Sequence, residues 1–398
     1  MISVVEARRR ILAALRPGAP EIVGLAQAHG RVLAKPVQAR LTVPPADISA
    51  MDGYALRVAD ATPGSRLKLV GEAPAGHPFS GQIGAGEVVR IFTGSVIPAG
   101  ADTVLIQENA TAEADAVVVN EAVVAGRHIR RAGQDFSAGD EVLHAGRRLS
   151  VRDVAVAGAA GYPWLCVYRK PRVAILCTGD EIALPGEPVP AGGIANSNAS
   201  MLMAFASAHG GEPLLLPIAR DTEDAVAEAA LAARGADMLV TTGGASVGAH
   251  DLVQSGLARH GFALDFWKIA MRPGKPLIFG QVNGLPVLGL PGNPVSAYVC
   301  ASLFLAGAIA VLGGLDPQGP VFETVTLGAS MKPNDTREDY VRATLTRAAI
   351  GWVATPLPVQ DSGMLTALSR AGALIRRPPN ATAAAPGDEV EILRLGLS

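Results

Sequence analysis

Apolar residues recur along this chain with two different periods, and the change from one to the other divides it. The opening MISVVEARRRILAAL places Val4, Ile11 and Leu15 on one helical face, and Ser3 and Glu6 have capping-box spacing, so an amphipathic helix is predicted here. Prolines and a polar patch then mark a boundary near Thr42 to Ala46. From Met51 to about Arg130, short apolar runs (RLKLVG, EVVRIFTG, DTVLIQ, AVVVNEAV) alternate with Gly and Pro turns, the pattern of a small β-rich domain. RRAGQDFSAGDEVLHAGRRLS leads from there into VRDVAVAGAAGY, an Ala-rich helix expected to return and pack beside the first one.

Further on, strand and helix patterns alternate. RVAILCTGDEI reads as a strand ending in a polar Gly turn, SMLMAFASAHG as a helix closed by glycine, and EPLLLPIARD as a second strand. TEDAVAEAALAARG is a helix with Thr222 at its N-cap, and ADMLVTTGG is a third strand. This spacing implies βαβ units on a mostly parallel sheet, whose ligands collect outside the carboxyl ends of the strands. From about Asp316 the runs VFETVTLGAS, YVRATLTRAAIGWVATPL and EVEILRL predict a small β module.

Composition narrows the class. A chain of 398 residues exceeds one ordinary core, so roughly two to four domains are expected. The net charge of −2 gives no basic footprint for nucleic acid. Cys166, Cys177 and Cys300 lie far apart with no CxxC pair, which argues against a disulfide scaffold or zinc site and fits a reducing compartment. Glu6 and Arg8 to Arg10 interrupt any signal-peptide run. Ser296 to Leu315 carries no charge over a length that could span a bilayer. Its start at PGNP and its Ala, Gly and Ser content make it a buried helix, and the protein is read as soluble.

Three polar loops leave predicted strand ends: Thr178 to Glu181 (TGDE), Thr241 to Asp251 (TTGGASVGAHD) and Leu290 to Ser296 (LPGNPVS). Glycines there let backbone N–H groups approach an anion, and the third loop opens a helix, whose N-terminus favours negative charge. Taken singly, each could be an ordinary turn; together they share one ligand-binding edge. In MRPGKP, Arg272 and Lys275 flank a Pro-Gly turn, either an exposed basic turn or a grip on an oxyanion. Glu181 and Asp251 beside such loops suit a divalent cation bridging carboxylate and phosphate. Asp221 could equally be a turn or capping residue, Asp180 could simply hold its loop, and His250 beside Asp251 reads as incidental.

Taken in order, SAMDGYAL, RIFTGSVIPAGADTVL, RRAGQDFSAGD, CTGDEI, TTGGASVGAHD, MRPGKP and LPGNPVSA resemble the motif series of the MoeA/gephyrin E-domain family, the molybdopterin molybdenumtransferases. The resemblance continues to DSGMLTALSRAGALI, covering essentially the whole chain. It implies Mg2+-dependent insertion of molybdate into adenylylated molybdopterin with release of AMP, in the cytoplasm, by an elongated homodimer. It also implies four domains: a discontinuous linker domain of residues 1–41 with 132–168, a β-rich domain of 42–131, a three-layer α/β molybdopterin-binding domain of 169–315, and a C-terminal β-barrel-like module of 316–398.

Roles follow from the resemblance position by position. Thr178, Gly179, Asp180, Asp221, Thr242, Gly243, Gly244 and Ser246 would surround the pterin phosphate, with Glu181 and Asp251 as metal carboxylates. Pro273, Gly274, Pro291, Gly292 and Asn293 would line the cofactor, while Arg272, Lys275, Ser296, Arg342 and Ser362 would hold molybdate. Arg337 is the alternative to Arg342, since REDYVRA contains both. Asp52 and Thr93 would complete the catalytic set with Glu181, Asp251 and Lys275 from across the dimer. Arg130 and Asp135 match either a hinge or an interdomain salt bridge.

Partners implied include a molybdopterin adenylyltransferase and molybdoenzyme apoproteins or their chaperones, with neither nucleic acid nor membrane. Two departures stand out: Arg272 occupies a position where many members have lysine, and Ser95 replaces the common alanine of TGA. GGASVG differs from the GGTG form of the related adenylyltransferases, which favours insertion over adenylylation. Adenylylation of molybdopterin, or a non-catalytic scaffold of the gephyrin E type, are the alternatives.

Overall fold

In the computed structural model, which describes residues 1–243 and 252–396, internal packing divides the chain into two units. One comprises Met1–Ile22, Gly30–Ala34 and Cys166–Ser398, the other Val23–His29 and Lys35–Leu165. Helix α1, Val4–Ala14, belongs to the first and starts at Ser3, whose hydroxyl accepts from the Glu6 N–H at 3.2 Å. The reciprocal half of the predicted capping box does not form, because the Glu6 carboxylate accepts from Arg9 at 2.8 Å and Arg10 at 2.7 Å instead.

The second unit is built on one six-stranded sheet. Its strands are β1 Gly53–Leu56, β2 Arg66–Ala73, β3 Glu87–Ile91, β4 Thr103–Ile106, β5 Ala110–Ala112 and β6 Ala116–Val119, in the order β4-β1-β3-β2-β6-β5. Alternation along β1 sends Tyr54 and Leu56 into one core and Ala55 into another on the opposite face. Helix α2, Val151–Ala159, is held at its start by a complete capping box between Ser150 and Asp153. Helix α2 belongs to the second unit, whereas α1 packs into the core of the first.

That core is an open sheet. The first unit runs through β7 Arg172–Cys177, α3 Ser197–Ala208, β8 Glu212–Leu215, α4 Glu223–Leu231, β9 Met238–Thr242, α5 Leu252–Ala258 and β10 Phe262–Trp267. It continues through β11 Met271–Arg272, β12 Ile278–Val282 and β13 Leu285–Leu290 to helix α6, Pro294–Leu312. In the order β8-β7-β9-β13-β12-β10 the first four strands are parallel, and β12 is antiparallel to both its neighbours β13 and β10. Val173, Ile175 and Cys177 enter one core and Ala174 and Leu176 the other, so β7 reads as a continuous apolar run.

Helix α6 accounts for the long uncharged stretch. Its most apolar window is 72% buried, and α1 packs against it with Ile11 and Leu12 in the shared core. Apolar residues are needed all around a helix covered on several sides.

The remaining strands are β14 Glu323–Leu327, β15 Glu338–Arg347, β16 Trp352–Pro356, β17 Ala373–Arg377 and β18 Glu389–Arg394, with a short helix α7, Leu365–Ser369, between β16 and β17. They follow the order β15-β16-β14-β18-β17, and β17 pairs back onto β15, closing a five-stranded barrel around Val325, Ala343, Ala354, Ile375 and Ile392. Strand β11 joins it from outside by parallel pairing, Met271 opposite Glu338 and Arg272 opposite Asp339. The architecture is the multidomain α/β class expected, with a mostly parallel sheet, a β-rich part and a barrel.

Candidate active site

Parallel pairing sets the carboxyl ends of β7, β9 and β13 side by side, with Cys177 opposite Thr242 and Thr242 opposite Leu290. Described residues at these three strand ends line a cavity of about 700 Å3, at the edge where open α/β sheets hold ligands. It brings together Thr178, Glu181, Thr242, Gly243, Pro291, Gly292, Asn293 and Ser296, all singled out in the sequence. Gly244, Ser246 and Asp251 lie outside the described residues.

Cross-links explain why the loops stay together. The Thr242 hydroxyl donates to the Pro291 carbonyl at 3.1 Å and accepts from Asn198 Nδ2 at 2.9 Å. Asn198 Nδ2 also donates to the Gly292 carbonyl at 2.7 Å. Gly243 sits at φ +92°, and a Cβ there would lie 2.3 Å from the Thr178 carbonyl oxygen, so only glycine lets the two loops approach this closely. Asn198 was not found in the sequence, although an asparagine in the first turn of a helix opened by Asn196 departs from ordinary propensity and could have signalled it.

Three buried polar atoms of residues lining this cavity have no hydrogen-bond partner among the described residues: Thr178 Oγ1, Asn196 Nδ2 and Asn198 Oδ1. Orphaned polar groups at this depth are uncommon in folded proteins and are suited to a ligand. The exposed Glu181 carboxylate lines the same cavity and has no hydrogen-bond or ion-pair partner among the described residues. No cluster of three metal-ligating side chains occurs among the described residues. Burial pushes the Cys177 thiol up, with the Asn196 side chain opposing it, so this cysteine is held neutral in the wall.

Other expected residues stand outside the cavity lining. Gly179 precedes Asp180, whose carboxylate accepts from the Asp221 N–H at 3.3 Å and so holds the turn between their loops. Arg272 is engaged by carboxylates: Nε donates to Asp339 at 3.0 Å, Nη1 to Asp335 at 3.3 Å, and Nη2 to Asn334 at 3.3 Å and again to Asp339. The peptide from Arg272 to Pro273 is cis. Gly274, at φ +107°, backs onto Cys300. Lys275 has no hydrogen-bond or ion-pair partner among the described residues, and the next residue, Pro276, lines the cavity.

Arg342 differs most from its expected role as an oxyanion contact. It is 1% exposed, and its guanidinium donates to the carbonyls of Asp361 at 2.8 Å, Met364 at 3.3 Å and Val359 at 3.4 Å. Burial lowers its pKa, and Asp361 opposes the effect. In this position Arg342 braces the segment that presents Gly363 and Leu365 to the cavity. Ser362 is fixed there too, its hydroxyl accepting from Asn293 Nδ2 at 2.9 Å and its carbonyl from the Val295 N–H at 3.1 Å. Arg337, the alternative, pairs with Asp335 at 3.0 Å.

In the second unit, Asp52 accepts from both the Thr93 N–H (2.7 Å) and hydroxyl (2.8 Å), which hold its carboxyl below the usual range. Arg130 and Asp135 are exposed and have no ion pair among the described residues; the salt bridge of this motif joins Arg131 to Asp47.

Fold and cavity together define an α/β protein with a polar cavity at the carboxyl ends of its parallel strands, to which Gly363 and Leu365 of the C-terminal part contribute one wall. Comparison with known proteins narrows this further. Residues 2–161 match the MoeA N-terminal region (domain I and II), 174–310 a probable molybdopterin binding domain and 324–395 the MoeA C-terminal region (domain IV). A molybdopterin molybdenumtransferase from a Nostoc species is 36% identical over 94% of this chain and 88% of its own. Molybdopterin molybdenumtransferase 2 of Mycobacterium tuberculosis is 34% identical over 98% and 99%. The crystal structure of a molybdopterin biosynthesis MoeA protein from Pyrococcus horikoshii superimposes with a TM-score of 0.85 at 28% identity, covering 99% and 100% of the two chains. The chain belongs to the MoeA family.

Proposed function

We propose that this protein is a molybdopterin molybdenumtransferase, inserting molybdate into the dithiolene of adenylylated molybdopterin and releasing AMP. The observation that carries the reading is the cavity itself. Its Thr178 hydroxyl and Glu181 carboxylate have no partner among the described residues, and the chain has full-length relatives named for this activity. Thr178 and the backbone around Gly243 would orient the phosphate-bearing pterin at the strand ends. Molybdate and the dithiolate repel as like charges, and an uncommitted ammonium at Lys275 offsets that repulsion most effectively where water is excluded. Glu181, with Asp251, would hold Mg2+, which supplies charge neutralisation at the phosphoanhydride when bound.

Asp52 and Thr93 would reach the cavity of a second copy in a homodimer. Their mutual hydrogen bonds keep Asp52 ionised and pointing one way. Residence in the cytoplasm follows from the same reading.

The test is AMP release from purified protein given adenylylated molybdopterin, with and without molybdate and Mg2+. Release that requires both is the expected result. Tight binding of the nucleotide without release under any of these conditions would remove the transferase reading and leave a binding role.

A further inference from the structure

The open sheet of the first unit has a second edge, and a second cavity lies there. Strands β7, β9 and β13 run in parallel toward the candidate active site, so their amino ends stand together at the opposite edge. At that edge a cavity of about 590 Å3 is lined by the end of α1, the connection from α4 to β9, and the turn between β12 and β13. Leu312, the last residue of α6, adds to the wall. The β12–β13 turn has only two residues, Asn283 and Gly284, both at positive φ, the form that closes a hairpin tightly. All of these segments belong to the first unit.

Hydrogen-bond accounting at this edge leaves donors over. Helices α1, α4 and α6 end in the wall, and a helix end ordinarily presents carbonyls without partners. Here the chain takes them up itself. The Leu231 and Ala233 carbonyls accept from the Arg234 and Ala236 N–H groups at 3.3 Å and 3.0 Å, and the Leu312 carbonyl accepts from Gly18 at 2.9 Å. The Ala13 and Leu15 carbonyls both accept from Arg16 Nη1, at 2.8 Å and 2.6 Å. The one carboxylate in the lining, Asp237, accepts from Arg169 Nη1 and from the Arg172 N–H, each at 2.7 Å. Nε and Nη2 of Arg16 and the whole guanidinium of Arg234 have no partner among the described residues.

Two arginines with donors to spare match an oxyanion, which the planar guanidinium fork binds through paired hydrogen bonds. Much of the remaining wall is apolar, including Leu15, Leu231, Val282 and Leu285. The volume falls in the range that holds a whole small molecule, and a bare inorganic anion would leave this apolar surface uncovered.

We infer that this cavity is a second ligand site, for an organic oxyanion: a carboxylate or phosphate held by Arg16 and Arg234, on an apolar body that lies against Leu231, Leu285 and Leu312. It shares no lining residue with the candidate active site and does not depend on the transferase reading.

The test is calorimetric titration of the purified protein with 1-naphthyl phosphate, 1-naphthoate, 1-naphthol and inorganic phosphate. At least one naphthyl anion is expected to bind, and the pair of them tells phosphate from carboxylate. Naphthol and inorganic phosphate should each bind at least about tenfold more weakly, because each lacks half of what the cavity offers. Arg234→Ala and Arg16→Gln should each weaken the naphthyl anion about 10- to 100-fold, the value of a hydrogen bond to a charged group. Leu231→Trp, at a position 40% exposed, fills the cavity and should abolish binding without lowering the melting temperature. Lys275→Ala, beside the other cavity, should leave binding unaltered. Failure of both naphthyl anions to bind overturns the inference, as does equally tight binding of naphthol or of inorganic phosphate. Binding that survives Arg234→Ala but is lost in Lys275→Ala overturns it too, since the anion then sits at the carboxyl ends of the strands. Arg234 is exposed and without a partner among the described residues, so its variant decides the matter even where Arg16→Gln loosens α1.

Discussion

Thr178 shows how a single side chain separates stability from function here. Its hydroxyl is buried without a partner among the described residues, so Thr178→Val removes no hydrogen bond seen there and keeps the shape. The melting temperature is expected to stay the same or rise slightly. AMP release should fall about 10- to 100-fold, the value of one hydrogen bond to a charged ligand. Unchanged activity in that variant would exclude the hydroxyl from ligand contact. Much at this scale was legible in advance: glycines and hydroxyls after apolar strands predicted an anion-holding edge, and Thr178, Glu181, Gly243 and Ser296 do line one cavity. What could not be read was engagement. Arg272 and Arg342 are indistinguishable in sequence from free cations, because their partners at Asp339 and Asp361 lie in the barrel, brought near only by tertiary folding.

Among the elements, α1 and α2 make a useful contrast. Both start with a Ser and an acidic residue three positions on, yet only Ser150 and Asp153 close a full capping box. At α1 the two arginines that follow compete for Glu6 and hold its carboxyl at about 2, well below the ordinary 4.5. A carboxyl depressed in the folded state contributes stability above its unfolded value and loses it as pH falls through the folded one. The difference in urea midpoint between the wild type and Glu6→Gln should therefore be present at pH 6 and shrink between pH 4.5 and about 2. A difference independent of pH would mean that the arginine pairing contributes nothing to folding. Helix α6 was legible as buried from its start at PGNP and its Ala, Gly and Ser content, and the strands of the open sheet from their apolar runs. The placement of α1 was not: its apolar face announces a partner without identifying α6 as that partner.

For the whole molecule, the proposed sharing of a site between two copies makes a direct prediction. Asp52→Asn and Glu181→Gln should each abolish AMP release alone, since one alters the second unit and the other the cavity of the first. Mixed dimers of the two carry one site with both residues intact, so activity should reappear on mixing and re-equilibration. If the mixture stays inactive while mixed dimers form, Asp52 does not serve a neighbouring copy. Division into two units, both of them discontinuous, was partly visible as changes of period. Which short segments cross from one unit to the other was not, because such crossings depend on which strands pair over long separations.

The strand that β11 lends to the barrel has a consequence for how such proteins diversify. Sequence boundaries near residue 316 invite the view that the C-terminal part could be exchanged between relatives like a cassette. Here Arg272 and Asp339 face one another across that boundary, on strands that also share a backbone register. A barrel transplanted from a relative that carries lysine at the first position would meet this arginine with a partner chosen for another cation. The two positions are then expected to change together, so the barrel, which lies mostly outside the cavity, constrains what residues the turn from Met271 to Pro276 can carry.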